Sequence, residues 1–212
     1  MKIMKTTLLT SAIFAASLVN AATTEVRTMP AGDGNLIDTN GDKIADEAAS
    51  TVLNSKSVME VNSGHIWKQT RKAIFEFKLP KEVPDVKKAT LVLNVNGKYG
   101  THPDKPGAGP ECDLWYYTGE NANGAVELAD DAVGKKVGKL IEKGAAVGKS
   151  RQVKVDVTVA VNEAMEKKSV FIGFRIQKSE TKSPDGVWRW RTSEFGQKYG
   201  KKLTPTLILI SK

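Results

Sequence analysis

The sequence predicts an all-β fold, an antiparallel β-sandwich of jelly-roll type with one or two short helices. Three observations carry this. Apolar residues recur at every second position in several short segments, the period of a strand that buries one face. Gly and Pro punctuate the gaps between those segments, as they do where strands are joined by turns. Runs of good helix formers are few and no internal repeat is visible, while long loops alternate with short strands, the pattern of a jelly roll.

Residues 71–79 read Arg-Lys-Ala-Ile-Phe-Glu-Phe-Lys-Leu, with Ala73, Phe75, Phe77 and Leu79 on one face and Glu76 and Lys78 on the other. That is a half-buried strand, and Pro80 and Pro84 bound the loop after it. Residues 90–96 form a second strand, ended by Gly97, and residues 114–118 (Leu-Trp-Tyr-Tyr-Thr) a third. Residues 152–161 alternate, with Val153, Val155, Val157, Val159 and Val161 opposite Lys154, Asp156 and Thr158. Residues 169–177, 187–192 and 203–211 complete the set of strands. Residues 158–168 can hold one short helix, since 162–168 are good helix formers, and residues 126–143 another short turn. Residues 97–110 carry three Pro and four Gly, too many for a regular element. They and residues 178–186 are expected to be long loops, where function often resides.

The chain has 212 residues, 40% hydrophobic and 26% charged. This suits one globular domain and excludes a coiled coil, a collagen-like chain and a mostly disordered one. Residues 1–21 read as a secretory signal peptide: Lys2 and Lys5, an apolar stretch over residues 8–19, and a small-residue cleavage site at Val19-Asn20-Ala21. Residues 22–212 then form the single β-sandwich domain, secreted or periplasmic, with no membrane insertion. The formal charge is +8, or +6 without the leader. In a secreted protein such a balance favours an acidic polysaccharide or a negatively charged cell surface over nucleic acid. The single cysteine, Cys112, forms no disulfide within the chain and is expected to be a buried, unreactive thiol.

Asp38-Thr-Asn-Gly-Asp-Lys-Ile-Ala-Asp-Glu47 is the most specific chemical motif. Asp38, Asn40, Asp42, the Ile44 carbonyl and Asp46 have the alternating spacing of a calcium loop, because alternate residues of a tight loop can converge on one hard cation. Lys43 stands where such loops have Gly, and Ala49 stands at position twelve, where Glu47 would have to substitute. The expectation is a structural Ca²⁺; the alternative is a solvated acidic turn.

Val187-Trp-Arg-Trp-Arg-Thr192 alternates aromatic and cationic residues. On a strand Trp188 and Trp190 share one face and Arg189 and Arg191 the other. Either the Trp pair is buried and the Arg pair offers bidentate forks to a uronate or sulfate, or the Trp pair is an exposed platform for sugar rings. Trp67 with Arg71, and Lys98, Tyr99 and His102 on the long loop, also combine aromatic and basic character. In the Trp115-Tyr116-Tyr117 triplet at least one ring must leave the core, and Tyr116 is the candidate. Only two His are present, and no nucleophile elbow, zincin motif or phosphate loop occurs. A non-catalytic protein is expected, and a small polysaccharide lyase is the enzymatic alternative.

Four phrases, in order, resemble the DNRLRE-type domain of carbohydrate-binding module family 96. They are Arg71 with Phe75-Glu-Phe-Lys-Leu-Pro80; Val86-Lys-Lys-Ala-Thr-Leu-Val-Leu93; Val155-Asp-Val-Thr158 with Val161 and the strand over residues 171–176; and Trp190-Arg-Thr-Ser-Glu-Phe195 with Pro205-Thr-Leu-Ile-Leu209. The ending departs from the family, with Thr192-Ser193-Glu194 in place of Ser-Arg-Glu and Thr204 where Arg usually precedes Pro. The resemblance implies a secreted jelly-roll module that binds polysaccharide, of the kind attached to alginate lyases, with Trp190 facing inward. The functional expectation is therefore a secreted carbohydrate-binding module for an acidic polysaccharide such as alginate. The alternative is a structural cell-surface or matrix protein using the same fold for protein contacts.

Overall fold

A computed structural model describes residues 21–50, 60–66, 68–82, 85–96, 109–132, 134–142, 150–179 and 186–211. Residues 1–20 of the expected leader lie outside the described residues, as do Trp67, Lys98, Tyr99 and His102. Among the described residues the strands are β1 (Thr23–Arg27), β2 (Asp33–Asp38), β3 (Glu47–Ser50), β4 (Glu60–Ile66), β5 (Gln69–Lys78), β6 (Val86–Asn96), β7 (Cys112–Thr118), β8 (Lys135–Ile141), β9 (Arg151–Asp156), β10 (Phe171–Lys178), β11 (Gly186–Arg191) and β12 (Thr206–Ser211). Helix α1 (Thr158–Glu166) follows β9, and α2 (Ser193–Tyr199) follows β11. The expected antiparallel β-sandwich with two short helices is what forms.

Every strand pairing is antiparallel. One sheet has the order β9-β6-β12-β1, and the other the order β3-β2-β5-β10-β7-β8. The β4–β11 pair bridges them. β11 continues the first sheet at Trp190↔Val95, and β4 continues the second at Gly64↔Arg71 and His65↔Thr70.

The period-2 faces meet between the sheets. Ala73, Phe75 and Phe77 of β5 pack with Ile172, Phe174 and Ile176 of β10 and Leu114 of β7 on one side. Leu91, Leu93 and Val95 of β6 and Leu207 and Leu209 of β12 close the other side. Phe77 and Phe174 stack edge to face at 5.9 Å, the favoured geometry for buried rings. Trp188 and Trp190 are fully buried. Their indole N–H groups donate to the Pro110 carbonyl at 2.7 Å and to Ser63 Oγ at 2.9 Å, which satisfies the one polar atom of each ring. Cys112 lies in the same core beside Ser63, and burial pushes its thiol up to about 12.

Several elements differ from the sequence expectation. The alternation over residues 152–161 stops at Asp156, whose carboxylate accepts both the Thr158 amide (2.9 Å) and the Thr158 hydroxyl (2.6 Å). That local capping pattern starts α1, so Val159 is exposed rather than aligned with Val153 and Val155. The helical turn expected over residues 126–143 is a single 3₁₀ turn, Leu128–Asp131, followed by β8. Lys135, Lys136 and Lys139 lie along β8, which among the described residues is paired only with β7. Glu76, expected on a solvated face, is buried, because that face of β5 is itself covered.

Candidate functional site

The second face of the β5-β10-β7 sheet is built by register. Gly173 stands opposite both Glu76 and Tyr117, and Arg175 opposite both Ile74 and Trp115. The missing side chain at Gly173 lets Tyr117 lie across β10: a Cβ there would sit 2.1 Å from the Tyr117 ring carbon Cζ. The Tyr117 hydroxyl thereby reaches Glu76 Oε1 and donates to it at 2.8 Å, while the Gly124 amide donates to Oε2 at 2.5 Å. Burial pushes the Glu76 carboxyl up to about 7 despite these bonds.

Two segments close over this face, the turn after β2 and the chain between β7 and β8. Leu36, Ile74, Tyr117, Ala45, Ala122 and Val126 form the small apolar cluster beneath them. One ion pair fastens both segments. Lys72 Nζ donates to Asp131 Oδ1 at 2.5 Å and to the Lys43 carbonyl at 3.0 Å, and the Ala45 amide donates to Asp131 Oδ2 at 2.8 Å. Arg175 Nη1 donates to the carbonyls of Asp130 (2.5 Å) and Asp131 (2.7 Å), and its Nε to Gln177 Oε1 (3.0 Å). The guanidinium stands 5.7 Å from the centre of the Trp115 ring, within cation–π range.

Beside this fastening a cleft of about 440 Å³ opens, a size typical of small-ligand sites. Among the described residues, Lys43, Lys72, Arg175 and Lys178 line it together with one carboxylate, Asp131. His65, Thr70, Gln177 and Ser179 add neutral donors and acceptors. His65 Nδ1 and Thr70 Oγ1 are 3.1 Å apart, which fixes the imidazole against the wall. The described lining therefore sets more cationic than anionic groups next to hydroxyl and amide groups.

Of the ligand residues expected from sequence, Arg71 and Arg189 come together outside this cleft. Arg71 follows Thr70 on β5 and faces the opposite side of the strand. Arg189 and Arg191 face away from the buried Trp pair. Arg191 stacks on Phe195 at 4.4 Å and donates to Ser150 Oγ at 3.1 Å. Tyr116 corrects the expectation for its triplet: its ring faces the core, 7% exposed, and its hydroxyl donates to Glu163 at 2.5 Å. Trp115 and Tyr117 take the outer face instead. The cleft residues were not singled out from sequence. The available signals were Arg175, a charge inside the apolar run Phe-Ile-Gly-Phe-Arg-Ile, and Lys72, which alternates with the core residues of β5.

The acidic loop of residues 38–47 is closed on itself. Asp38 accepts the amides of Gly41 (2.6 Å) and Lys43 (3.0 Å), and Asp42 Oδ1 accepts the Ile44 amide (2.8 Å). Asp46 accepts the Thr39 amide and hydroxyl, both at 2.8 Å, and Asn40 Nδ2 at 3.0 Å. Lys43 adopts φ 73 where the motif would have Gly. Ile44 is 65% exposed, and Glu47 lies on β3, paired with Ile37. Among the described residues no three His, Cys, Asp or Glu side chains converge as metal ligands. As folded, these oxygens accept amides of their own loop, and the loop carries Lys43 and Ala45 to Asp131. Chelator is expected to leave the melting temperature unchanged. A rise of several degrees on adding Ca²⁺ would overturn that.

A pH dependence follows from three buried carboxyls. Asp33, wholly buried and accepting the Ser193 amide at 2.6 Å, is pushed by burial up to about 7, as Glu76 is, and Asp130 up to about 6. The native state thus holds protons on these groups that the unfolded chain releases near pH 4. Between about pH 4.5 and 7 the native state binds more protons, so stability falls as pH rises and levels off above 7. The limiting slope is about 1.4 kcal/mol per pH unit for each group. Urea midpoints across this window should decline in the wild type and decline less in Glu76→Gln; a midpoint that climbs with pH would contradict the assignment.

No family model matches the chain, and no curated protein matches it. Among solved structures it is similar to a xylan-binding module, CBM15, at 10% identity over 91% of this chain and 99% of that one, with a TM-score of 0.46. It is also similar to the structure of infectious bursal disease virus Gt strain, at 11% identity over 96% of this chain and 42% of that one, with a TM-score of 0.30. Neither likeness assigns a function. Among the described residues no helix is long and apolar enough to cross a membrane.

Proposed function

We propose that the protein is a non-catalytic, secreted module that binds an acidic polysaccharide in the cleft between β4 and the outer face of β5 and β10. The observation that carries this reading is the lining: among the described residues, four cationic side chains stand with one carboxylate, and that carboxylate already holds Lys72. An ammonium or guanidinium recognises a sugar carboxylate by charge-assisted hydrogen bonds, worth about 1.5–3 kcal/mol each. Thr70, Gln177 and Ser179 supply partners for sugar hydroxyls. Alginate and pectate, as uronate polymers, are the substrate class this chemistry selects.

The test is retention of the protein on immobilised alginate, pectate and a neutral glucan, at low and high salt. Retention on the uronates that fades with salt is expected, since exposed charge pairs are screened. Lys178→Gln should weaken it about tenfold. Equal retention of Lys178→Gln and wild type would remove the cleft from the reading. Retention on no glycan, with self-association of the chain, would favour a structural surface protein. New unsaturated-uronate absorbance would show a lyase instead.

A further inference from the structure

Where the chain between β7 and β8 closes over β5, two carboxyls meet one phenol. The Tyr117 hydroxyl bonds Glu76 Oε1 at 2.8 Å and lies beside Asp130 as well. Glu76 Oε2 is spent on the Gly124 amide, and Asp130 Oδ2 on the Glu127 amide at 2.8 Å. Asp130 Oδ1 is buried and has no hydrogen-bond partner. A phenol oxygen donates one hydrogen bond and also accepts. With both carboxyls ionised, Tyr117 serves only one of them, and the other stays an unsatisfied buried acceptor. One added proton repairs this in either direction. A protonated Asp130 donates to Tyr117, which donates to Glu76; or a protonated Glu76 donates to Tyr117, which donates to Asp130.

The surrounding groups leave that proton needed. Arg175 of β10 faces Tyr117 and Asp130 with the opposite charge, but its Nη1 donates to the carbonyls of Asp130 and Asp131. Glu127, on the covering chain, adds a further negative charge beside Asp130. Gly32, which packs on Glu76, and Gly173, opposite it on β10, bring no charge. Burial raises Glu76 to about 7 and Asp130 to about 6, and it holds the Tyr117 phenol well above its ordinary value. The phenol therefore keeps its own proton while the carboxyl pair titrates.

The pair sits where it bears on the cleft. Asp131 is the next residue of the same 3₁₀ turn, Leu128–Asp131. It lines the cleft and holds both Lys72 and the Ala45 amide. We propose that Glu76 and Asp130 share one proton through Tyr117, and that losing it releases the turn carrying Asp131 from the sheet, so that the cleft is fully built only in the protonated state. Without the proton, a carboxylate on the sheet and a carboxylate on the covering turn repel each other across the phenol. Arg175 then loses the carbonyls that hold its guanidinium, and Lys72 loses Asp131. A ligand must order these cations itself, which weakens its binding. The effect on the ligand rests on the cleft reading above; the shared proton and the release of the turn do not.

Amide hydrogen exchange of the whole protein tests this without a ligand. The Ala45 amide, which donates to Asp131, reports the turn, and the amides of the β5–β10 ladder report the whole fold. Between about pH 5.5 and 8.5, Ala45 in wild type should lose about tenfold more protection than the ladder, after correction for the intrinsic rate. Glu76→Gln and Asp130→Asn each put an amide donor where the shared proton sits, so in both Ala45 should follow the ladder at every pH. Near-UV ellipticity of the buried Trp pair reports that each variant is folded. Calorimetric affinity for trigalacturonate should fall at least about fivefold over the same range in wild type and stay level in Glu76→Gln. The fall should persist in His65→Gln, which removes the imidazole of the lining. Equal loss of protection at Ala45 and the ladder in wild type overturns the switch. So does an excess loss that persists in Glu76→Gln and Asp130→Asn. Excess loss at Ala45 with level uronate affinity upholds the shared proton and overturns its control of the cleft. A fall in affinity abolished by His65→Gln assigns the effect to the imidazole and overturns that control too. No uronate binding at any pH overturns the cleft reading, while exchange still decides the release of the turn.

Discussion

Replacing Asp131 with Ala is expected to destabilise the protein by about 3–5 kcal/mol, the usual cost of leaving one partner of a buried ion pair alone. Lys72 and Asp131 have side chains only 10% and 6% exposed, so water does not rescue the ammonium. The Ala45 amide loses its acceptor at the same time. For a chain of this size the melting temperature should fall by about 10 °C. The complementary variant Lys72→Met/Asp131→Leu should recover most of that loss, because an apolar pair of similar volume removes the stranded charge. It should nevertheless bind the cleft ligand less well. Urea unfolding of the two variants separates these effects. A loss below about 1 kcal/mol for Asp131→Ala would mean that the two covering segments are held by the apolar cluster around Leu36 and Ile74 and not by the ion pair.

Gly64→Ala should be comparably damaging, by about 3 kcal/mol or more, for a different reason. Gly64 has φ 135, and a Cβ there would lie 2.1 Å from the Gly186 carbonyl oxygen and 2.9 Å from Val187 Cα. Both neighbours are backbone of the paired strand β11, so relief requires the β4–β11 pair to separate. Strained backbone and forced overlap each cost about 1–3 kcal/mol. Because β4 and β11 bridge the sheets, the damage should appear in the near-UV signal of Trp188 and Trp190 and should lower binding in the cleft, where His65 is the next residue. Gly138→Ala on β8 is the control: nothing lies within 4 Å of its Cβ position, and it should be neutral within about 0.5 kcal/mol. Equal unfolding midpoints for the two variants would refute the packing described at the bridge.

The main sandwich was legible in the sequence because its strands bury one face each. Ala73, Phe75 and Phe77, or Leu91, Leu93 and Val95, announce both the strand and its inward side. The alternative readings of the Trp188–Arg191 segment are resolved by packing: both rings are fully buried, and each indole finds an acceptor that only the fold supplies. β1 to β4 were not legible. Asp33-Gly-Asn-Leu-Ile-Asp38 buries polar groups at both faces, so its period is silent. The amide bonds within the acidic loop were not legible either, because spacing alone cannot show where its oxygens point. The cleft was illegible for a related reason. Lys72, Glu76 and Arg175 look like the solvated side of two ordinary strands until a segment 44 residues or more away in the chain covers them.

The pairing of β1 with β12 sets the order in which the fold can be completed. Thr23 is matched with Ile210 and Arg27 with Thr206, so the first and last strands of the sandwich are neighbours. The Ser211 amide also donates to the Ala22 carbonyl at 3.0 Å. Both strands must leave the ribosome before that edge can form, and its contacts span nearly the whole of the described residues. Folding dominated by such non-local pairing runs on the millisecond-to-second scale. The nascent chain therefore stays incompletely assembled until β12 has emerged, and loss of either β1 or β12 opens the same edge of the sheet.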